Sequence, residues 1–133
     1  MTKLKLMAGV FTLVLFSACN KVEGGKIKQG DYVGTLTVYA DGSPVYNMGA
    51  EIDLEKNTFD VELTPNMEMK IEGEGGFSAT KNDITFNLVT PAFHEALPKG
   101  TYTYTLSNKG ENLMLSKVEN NMRYDFNLVL KKD

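Results

Sequence analysis

Apolar and polar side chains alternate with a period of two along most of the chain downstream of Gly30. The alternation is strict over residues 59–63, 84–88 and 101–106. Successive side chains of a β-strand point to opposite faces, so this period predicts half-buried strands rather than helices. Turn-forming residues separate the runs, which favours strands linked by hairpins. We predict nine strands, near residues 31–39, 45–55, 58–63, 67–72, 76–80, 84–90, 101–107, 112–119 and 122–131.

Four of the turns are short enough to predict which residues pair across each hairpin. They lie at residues 56–57, 81–82, 108–111 and 120–121. In each hairpin the predicted partners are apolar and face one way, as burial of a single face requires. The predicted pairs are Leu54–Phe59, Ile52–Val61, Ala79–Ile84, Phe77–Phe86, Leu106–Leu113, Tyr104–Leu115, Leu115–Phe126 and Leu113–Leu128.

The first hairpin is the one whose register the sequence leaves open. Depending on the length of the turn that follows Ala40, either Leu36 and Val38 or Val33 and Thr35 face the inside. Consecutive hairpins with one common inner face are typical of an up-and-down barrel, which removes exposed edges by closing on itself. We therefore predict an all-β domain, an antiparallel up-and-down barrel of eight or nine strands.

The N-terminus has the layout of a secretory signal. Lys3 and Lys5 form a basic start, residues 6–16 carry no charge, and small residues precede Cys19. The apolar run is 11 residues long, which is shorter than the about 20 residues that span a bilayer as a helix. The predicted parts of the chain are a signal peptide at 1–18, a lipidated N-terminus and tether at 19–29, and the barrel domain at 30–133.

Cys19 stands at the predicted cleavage point and is the only cysteine of the chain. A cysteine in this place resembles the lipidation site of bacterial lipoproteins, which implies that Cys19 carries acyl chains. The alternative is an ordinary secretory signal cleaved near Ala18. Acyl chains hold a domain firmly at a membrane, because each buried CH₂ contributes about 0.8 kcal/mol. We predict a cell-envelope protein, lipid-anchored to the outer membrane and facing either the periplasm or the cell surface.

The charge of the chain argues against nucleic acid as a partner. Downstream of residue 18 there are 115 residues with 12 basic and 17 acidic side chains, a net charge of about −5. Nucleic-acid binding needs a surplus of Lys and Arg to neutralise phosphates. The same length suits one domain with one core.

Two stretches of the chain resemble the calycin-like barrels, which include the lipocalins and the avidin group. Residues 30–36 are similar to their opening Gly-x-aromatic segment, with Tyr32 where a tryptophan often lies. The last hairpin is similar to their closing strands, and its matching residues are Leu113, Leu115, Tyr124, Phe126, Leu128 and Leu130. The nearest resemblance is to the calycin-like domain of small Bacteroides-type lipoproteins. It implies a barrel, often with an internal cavity, and no settled activity.

The last two hairpins also predict a candidate ligand site on the inner face. Their register brings Lys117 between Tyr102 and Tyr124, near one barrel end. A cation beside aromatic rings, inside apolar walls, is typical of a pocket for a small apolar or amphipathic ligand. The alternative is a lysine whose stem covers the barrel end while its amine reaches water. The predicted lining residues are Tyr102, Tyr104, Lys117, Tyr124 and Phe126.

An unusual set of carboxylates is predicted on the outer face. The turn at residues 56–57 sets Asp53 opposite Asp60 and Glu51 opposite Glu62, and like charges across strands repel. A divalent cation or a basic protein partner would relieve the repulsion, whereas a solvated face that discourages aggregation is the alternative. This face supports the second functional prediction, a surface or periplasmic accessory subunit that binds another protein.

No residues single out an enzyme, a cofactor or a metal. His94 is the only histidine, and no serine, thiol or zinc-ligand pattern accompanies it. It lies in residues 91–98, a segment bracketed by prolines that is either a lid over one barrel end or a plain connection. We therefore predict a non-catalytic protein whose first expected function is binding of a small apolar or amphipathic ligand inside the barrel.

Overall fold

A computed structural model describes residues 26–90 and 96–132 of the chain. These residues form eight antiparallel strands. They contain no helix, and therefore none that is long and apolar enough to cross a membrane. The strands pair in chain order and close into one up-and-down barrel. They are β1 (Gly30–Ala40), β2 (Ser43–Leu54), β3 (Thr58–Asn66), β4 (Met69–Ala79), β5 (Asp83–Leu88), β6 (Gly100–Ser107), β7 (Asn112–Glu119) and β8 (Met122–Leu130).

The four predicted hairpin registers are confirmed. All eight predicted apolar pairs occur in the β2–β3, β4–β5, β6–β7 and β7–β8 ladders, and their side chains are buried or pack against the core. The β7–β8 turn illustrates why short turns predict register. Asn120 and Asn121 both have positive φ, 54° and 65°, as the tight hairpin turn that matches strand twist requires.

The first hairpin places Leu36 and Val38 inside and Val33 and Thr35 outside. Ala40 pairs with Ser43, so the turn has two residues, Asp41 and Gly42, with φ of 52° and 81°. A register shift between Val38 and Tyr39 follows directly, and this bulge is the feature that the sequence pattern did not reveal.

The barrel has eight strands rather than nine, because β4 is one continuous strand where we predicted two. The glycine-rich residues 73–76 lie inside β4 and not in a turn. A Cβ added at Gly75 would lie 2.1 Å from the backbone oxygen of Asn87. Glycine therefore serves here to let β4 and β5 approach closely, which a turn-based interpretation of the glycines missed.

The interior is filled by side chains from all eight strands. Four rings form a connected column: Phe59 and Phe86 lie 4.8 Å apart between centroids, Phe86 and Tyr102 5.6 Å, and Tyr102 and Phe126 5.9 Å. Their edge-to-face geometry is the favoured one for aromatic pairs. Among the described residues no polar or charged residue is buried, so the core is apolar throughout.

One barrel end, the terminal end, carries the β2–β3, β4–β5 and β6–β7 turns and the first and last described residues of the chain. Ile27 is fully buried there. The Tyr104 hydroxyl donates to the backbone oxygen of Thr80 at 2.6 Å and accepts from the backbone nitrogen of Lys26 at 3.3 Å. The Tyr32 hydroxyl donates to the backbone oxygen of Lys28 at 2.6 Å. The part of the predicted tether at residues 26–29 therefore packs on the barrel.

The opposite end, the distal end, carries the β1–β2, β3–β4, β5–β6 and β7–β8 connections. Ala96 and Leu97, from the β5–β6 connection, are buried in the core. A Cβ added at Gly73 would lie 3.3 Å from the Leu97 side chain, so this connection covers part of the barrel mouth. The remainder of the predicted lid, residues 91–95 with His94, lies outside the described residues.

We expect Gly75→Ala to lower the free energy of unfolding by about 2 kcal/mol or more, because the new Cβ meets backbone that cannot move aside cheaply. Urea denaturation followed by circular dichroism measures this. Gly49→Ala is the control, since its nearest atom would be the Thr64 Cβ at 3.6 Å, and its effect should stay within about 1 kcal/mol. Equal effects of the two changes would contradict the close-approach account.

Candidate functional site

The inward lysine is held at the distal end by internal partners. The Lys117 Nζ donates to the backbone oxygen of Lys99 at 2.7 Å and pairs with the Glu119 Oε1 at 2.9 Å. It lies 4.9 Å from the Tyr102 ring centroid and 5.2 Å from that of Tyr124. Only 11% of the Lys117 side chain is exposed. The predicted cation between two tyrosines is therefore present, and it closes the distal end.

Electrostatics at this cluster agree with that geometry. The hydrogen bond and the charge of Lys117 lower the pKa of the Glu119 carboxyl. Burial raises the pKa of the Tyr102 hydroxyl well above its usual value, although a hydrogen bond to the backbone of Lys99 partly opposes the rise. Tyr102 is thus neutral and Glu119 ionised near neutral pH, which suits the ion pair between the Glu119 carboxylate and the Lys117 amine.

The other two predicted ligand residues lie elsewhere in the interior. Phe126 contacts Tyr102 within the ring column, whereas the Tyr104 hydroxyl reaches the terminal end. All of the predicted aromatic residues are buried. The structure thus brings Tyr102, Lys117 and Tyr124 together at the distal end, whereas the Tyr104 hydroxyl bonds to the chain at the terminal end.

The outer face of β1–β4 carries two rows of carboxylates across neighbouring strands. The predicted pairs, Glu51 with Glu62 and Asp53 with Asp60, are both present. Each row continues onto further strands, because Glu62 pairs with Glu72, Asp60 with Glu74 and Asp53 with Asp31. We call this surface the acidic face, and its members are Asp31, Glu51, Asp53, Asp60, Glu62, Glu72 and Glu74.

Sequence reasoning missed three members of the acidic face for two reasons. Glu72 and Glu74 join it only through the β3–β4 ladder, whose register shifts between Leu63 and Asn66. Asp31 joins it through the β1–β2 ladder, whose register the sequence left open. The count of acids was visible in the sequence, but their neighbours across strands were not.

The acidic face is concave and weakly compensated. Six of its carboxylates line a groove of about 570 Å³ that also contacts Thr90. Two exposed lysines offset part of the charge: Lys70 lies 3.8 Å from Glu62, and Lys131 lies 3.9 Å from Glu51. Exposed pairs of this kind contribute at most about 1 kcal/mol each, so most of the repulsion between the rows persists.

The repulsion is concentrated at Asp53. Its pKa is raised to about 7, first by burial and then by hydrogen bonds and charge from Glu55 and Asp31. Each of these effects disfavours the ionised carboxyl. Asp53 is therefore partly protonated near neutral pH, and the negative charge of the acidic face grows as the pH rises through 7.

The described residues contain no group of three or more His, Cys, Asp or Glu arranged to hold a metal ion. Calcium takes six to eight oxygens, and the acidic face offers no such set among the described residues. Cys19, the predicted lipidation residue, and His94 lie outside the part of the chain that the structure describes.

Comparison with known proteins adds no relative: a scan against protein-family models gives no match, and searches of curated proteins and of solved structures give none either. The closed eight-stranded antiparallel barrel is consistent with the calycin-like architecture that the sequence resemblance implies. Membership of the Bacteroides-type lipoproteins stays a prediction.

We expect the barrel to lose stability as the pH rises from 4 to 8, and Asp53→Asn to reduce this loss. The folded-state pKa of Asp53 is raised to about 7 from 3.8, so the native state binds the proton more tightly than the unfolded state across this interval. With solvent screening of this half-exposed group, the variant should gain about 1 kcal/mol at pH 8 and little at pH 4.

Urea denaturation at several pH values measures that gain. Asp41→Asn is the control, because it removes an exposed carboxylate that lies in the β1–β2 turn and outside the acidic face. A gain for Asp53→Asn that is the same at pH 4 and pH 8 would contradict the assignment.

Proposed function

We propose that this chain is a non-catalytic binding domain of the cell envelope, anchored by lipid on Cys19, that recognises a basic protein partner through the acidic face. The observation that carries the proposal is the pair of carboxylate rows across four neighbouring strands, with two weak lysine contacts in return. We base the proposal on the outer surface rather than on the interior, because aromatic side chains of the barrel occupy the interior.

The physical case for a basic partner is the unrelieved repulsion within the acidic face. Like charges directly across strands destabilise a sheet, so these positions oppose folding in the isolated domain. Lys or Arg side chains of a partner would remove the repulsion on binding and would also be steered toward the face by its field. The same charge opposes nucleic acid, whose phosphates would be repelled.

A small amphipathic ligand at the distal end is the second candidate function. The observation that favours it is the Lys117 amine, held over the rings of Tyr102 and Tyr124 at the mouth of an apolar core. An acidic headgroup would take the place of Glu119 against the amine. This function requires the core to open so that the apolar part of the ligand can enter. We therefore prefer the proposal of a basic protein partner at the acidic face.

The location at the outer membrane is proposed from the N-terminal sequence. A basic start, an uncharged run and small residues before Cys19 favour export and lipidation. Residues 26–29 then lead directly onto the barrel, with Ile27 in the core. Both a periplasmic and a surface orientation agree with these features.

We expect Glu51→Gln/Asp53→Asn to weaken partner binding at least tenfold, because two carboxylates at the centre of the acidic face are neutralised. The chain from residue 19 onward, with Cys19→Ser, is used to recover partners from a cell-envelope extract. The affinity of the purified partner is then measured for each variant.

Asp41→Asn/Glu68→Gln is the matched control, since it removes two exposed carboxylates outside the acidic face and should leave affinity unchanged. Lys117→Met should also leave it unchanged. The small-ligand function requires the reverse: loss with Lys117→Met and no effect of the Glu51 and Asp53 changes. If neither variant alters binding, both site assignments are wrong.

We expect Cys19→Ser to move the full-length protein out of the membrane fraction, because acyl chains provide most of the membrane affinity. Metabolic labelling with an alkyne fatty acid, followed by detergent partitioning, measures this in cells. Labelling that persists in Cys19→Ser would contradict the lipidation assignment. Export without labelling of the native chain would support an ordinary signal peptide instead.

A further inference from the structure

Lysines stand at the tips of all three hairpins on the terminal end of the barrel. Lys56 lies in the β2–β3 turn, Lys81 in the β4–β5 turn and Lys109 in the β6–β7 turn, and all three are exposed. Among the salt bridges of the described residues, none involves these three side chains. One end of the barrel therefore carries three exposed turn lysines without a salt bridge.

The residues that flank β1 and β8 add to this basic surface. Lys26 and Lys28 precede β1, and Lys131 and Lys132 follow β8. Closure of the barrel through the β1–β8 ladder brings both pairs to the same end as the three hairpin tips. Seven of the 12 basic residues downstream of residue 18 thus lie at the terminal end, and we call these seven lysines the basic end.

The distal end has no comparable surface. Its turns present Asp41, Glu68 and the pair Asn120–Asn121. Its basic side chains are largely engaged by carboxylates: Lys70 with Glu62, Lys117 with Glu119, and Arg123 with Asp125. Lys99 is the exposed exception. Two of the seven terminal lysines are paired as well, Lys131 with Glu51 and Lys132 with Glu111. Among the described residues, five lysines at the terminal end therefore have no salt bridge, and one basic side chain, Lys99, has none at the distal end.

Carboxylates also lie at the terminal end. Asp31 and Asp53 lie one residue from the ends of β1 and β2, and Glu55, Asp83 and Glu111 occupy strand ends or their flanks. Glu111 pairs with Lys132 at 3.1 Å. The seven lysines of the basic end outnumber these five carboxylates by two, so the described part of this end keeps a net positive charge.

The path of the chain indicates what that surface is. Ile27 is anchored in the core at the terminal end, and seven residues separate it from residue 19. A fully extended segment of that length reaches at most about 25–30 Å. A membrane anchor on Cys19 would therefore hold the terminal end, and not the distal end, close to the lipid headgroups.

We propose that the basic end is a membrane-facing surface that binds the phosphates of anionic phospholipids. Its placement next to a membrane rests on the proposed anchor at Cys19, but the binding of anionic lipid by these lysines does not. A lipid anchor and a basic patch are two signals that reinforce each other. Together they would orient the barrel with its distal end outward.

The test is vesicle co-sedimentation of the chain from residue 19 onward with Cys19→Ser, so that no acyl chain contributes. We expect partition onto vesicles with about 30% phosphatidylglycerol in phosphatidylcholine at about 50 mM salt, and loss of binding at about 500 mM salt. Each lysine near an anionic surface contributes about fivefold. Lys56→Gln/Lys81→Gln should therefore lower the partition coefficient about 25-fold.

The matched control is Lys70→Gln/Lys99→Gln, which removes the same charge at the distal end and should lower partition less than threefold by the same reasoning. Equal losses in both variants, or equal partition onto vesicles of phosphatidylcholine alone, would overturn the proposal. Binding to heparin without binding to vesicles would also overturn it, because the surface would then recognise a soluble polyanion. Glu51→Gln/Asp53→Asn should keep vesicle binding, which separates this result from the proposed protein partner.

A second measurement reports the orientation directly and does not depend on the lysine variants. Single cysteines at Asn82, on the terminal end, and at Glu68, on the distal end, are introduced into the Cys19→Ser chain and labelled with a fluorophore. A quencher carried on the lipid headgroups should quench the label at residue 82 more strongly than that at residue 68. Equal quenching, or stronger quenching at residue 68, would contradict a membrane-facing terminal end.

Discussion

Closure of the barrel through the β1–β8 ladder is the constraint on which the rest of the structure depends. The ladder runs from Tyr32 opposite Leu130 to Ala40 opposite Met122, so the first and last strands leave no open edge at this seam. Closure gives every strand one inner face, which must be apolar, and one outer face, which is free to be polar. It also brings the start of β1 and the end of β8 to one end of the barrel, which is the end with the three turns that carry lysines.

A closed barrel of eight strands has room either for its own side chains or for one small ligand. Here side chains occupy the interior, and Phe59, Phe86, Tyr102 and Phe126 contact one another in series. Lys117 closes the distal end by bonding to Lys99 and Glu119. The features that remain for recognition lie outside: a concave acidic wall and a basic end.

These two outer features have opposite charge and are formed by different parts of the fold. The acidic face is built on the pleat of four neighbouring strands, so its carboxylates are held by ladders that the core stabilises. The basic end is built on turns and termini, so its lysines stand at projecting tips. The acidic face lies on the barrel wall and the basic end lies at one end, so the surface charge is unevenly distributed. Such a distribution suits a domain that would contact a membrane with one surface and a protein partner with another.

The sequence by itself determined the strand period, the inner-face residues of four hairpins and the two central acidic pairs, because a tight turn sets register between neighbours that are close in the chain. It also placed Lys117 between Tyr102 and Tyr124. Only the tertiary structure decided that β4 is one strand, where glycine at residue 75 meets the backbone of Asn87. It alone connected Asp31, Glu72 and Glu74 to the acidic pairs and directed the Lys117 amine to the backbone of Lys99. The physical reason is that bulges and contacts between residues distant in the chain do not recur periodically, so the alternation of apolar and polar residues does not predict them.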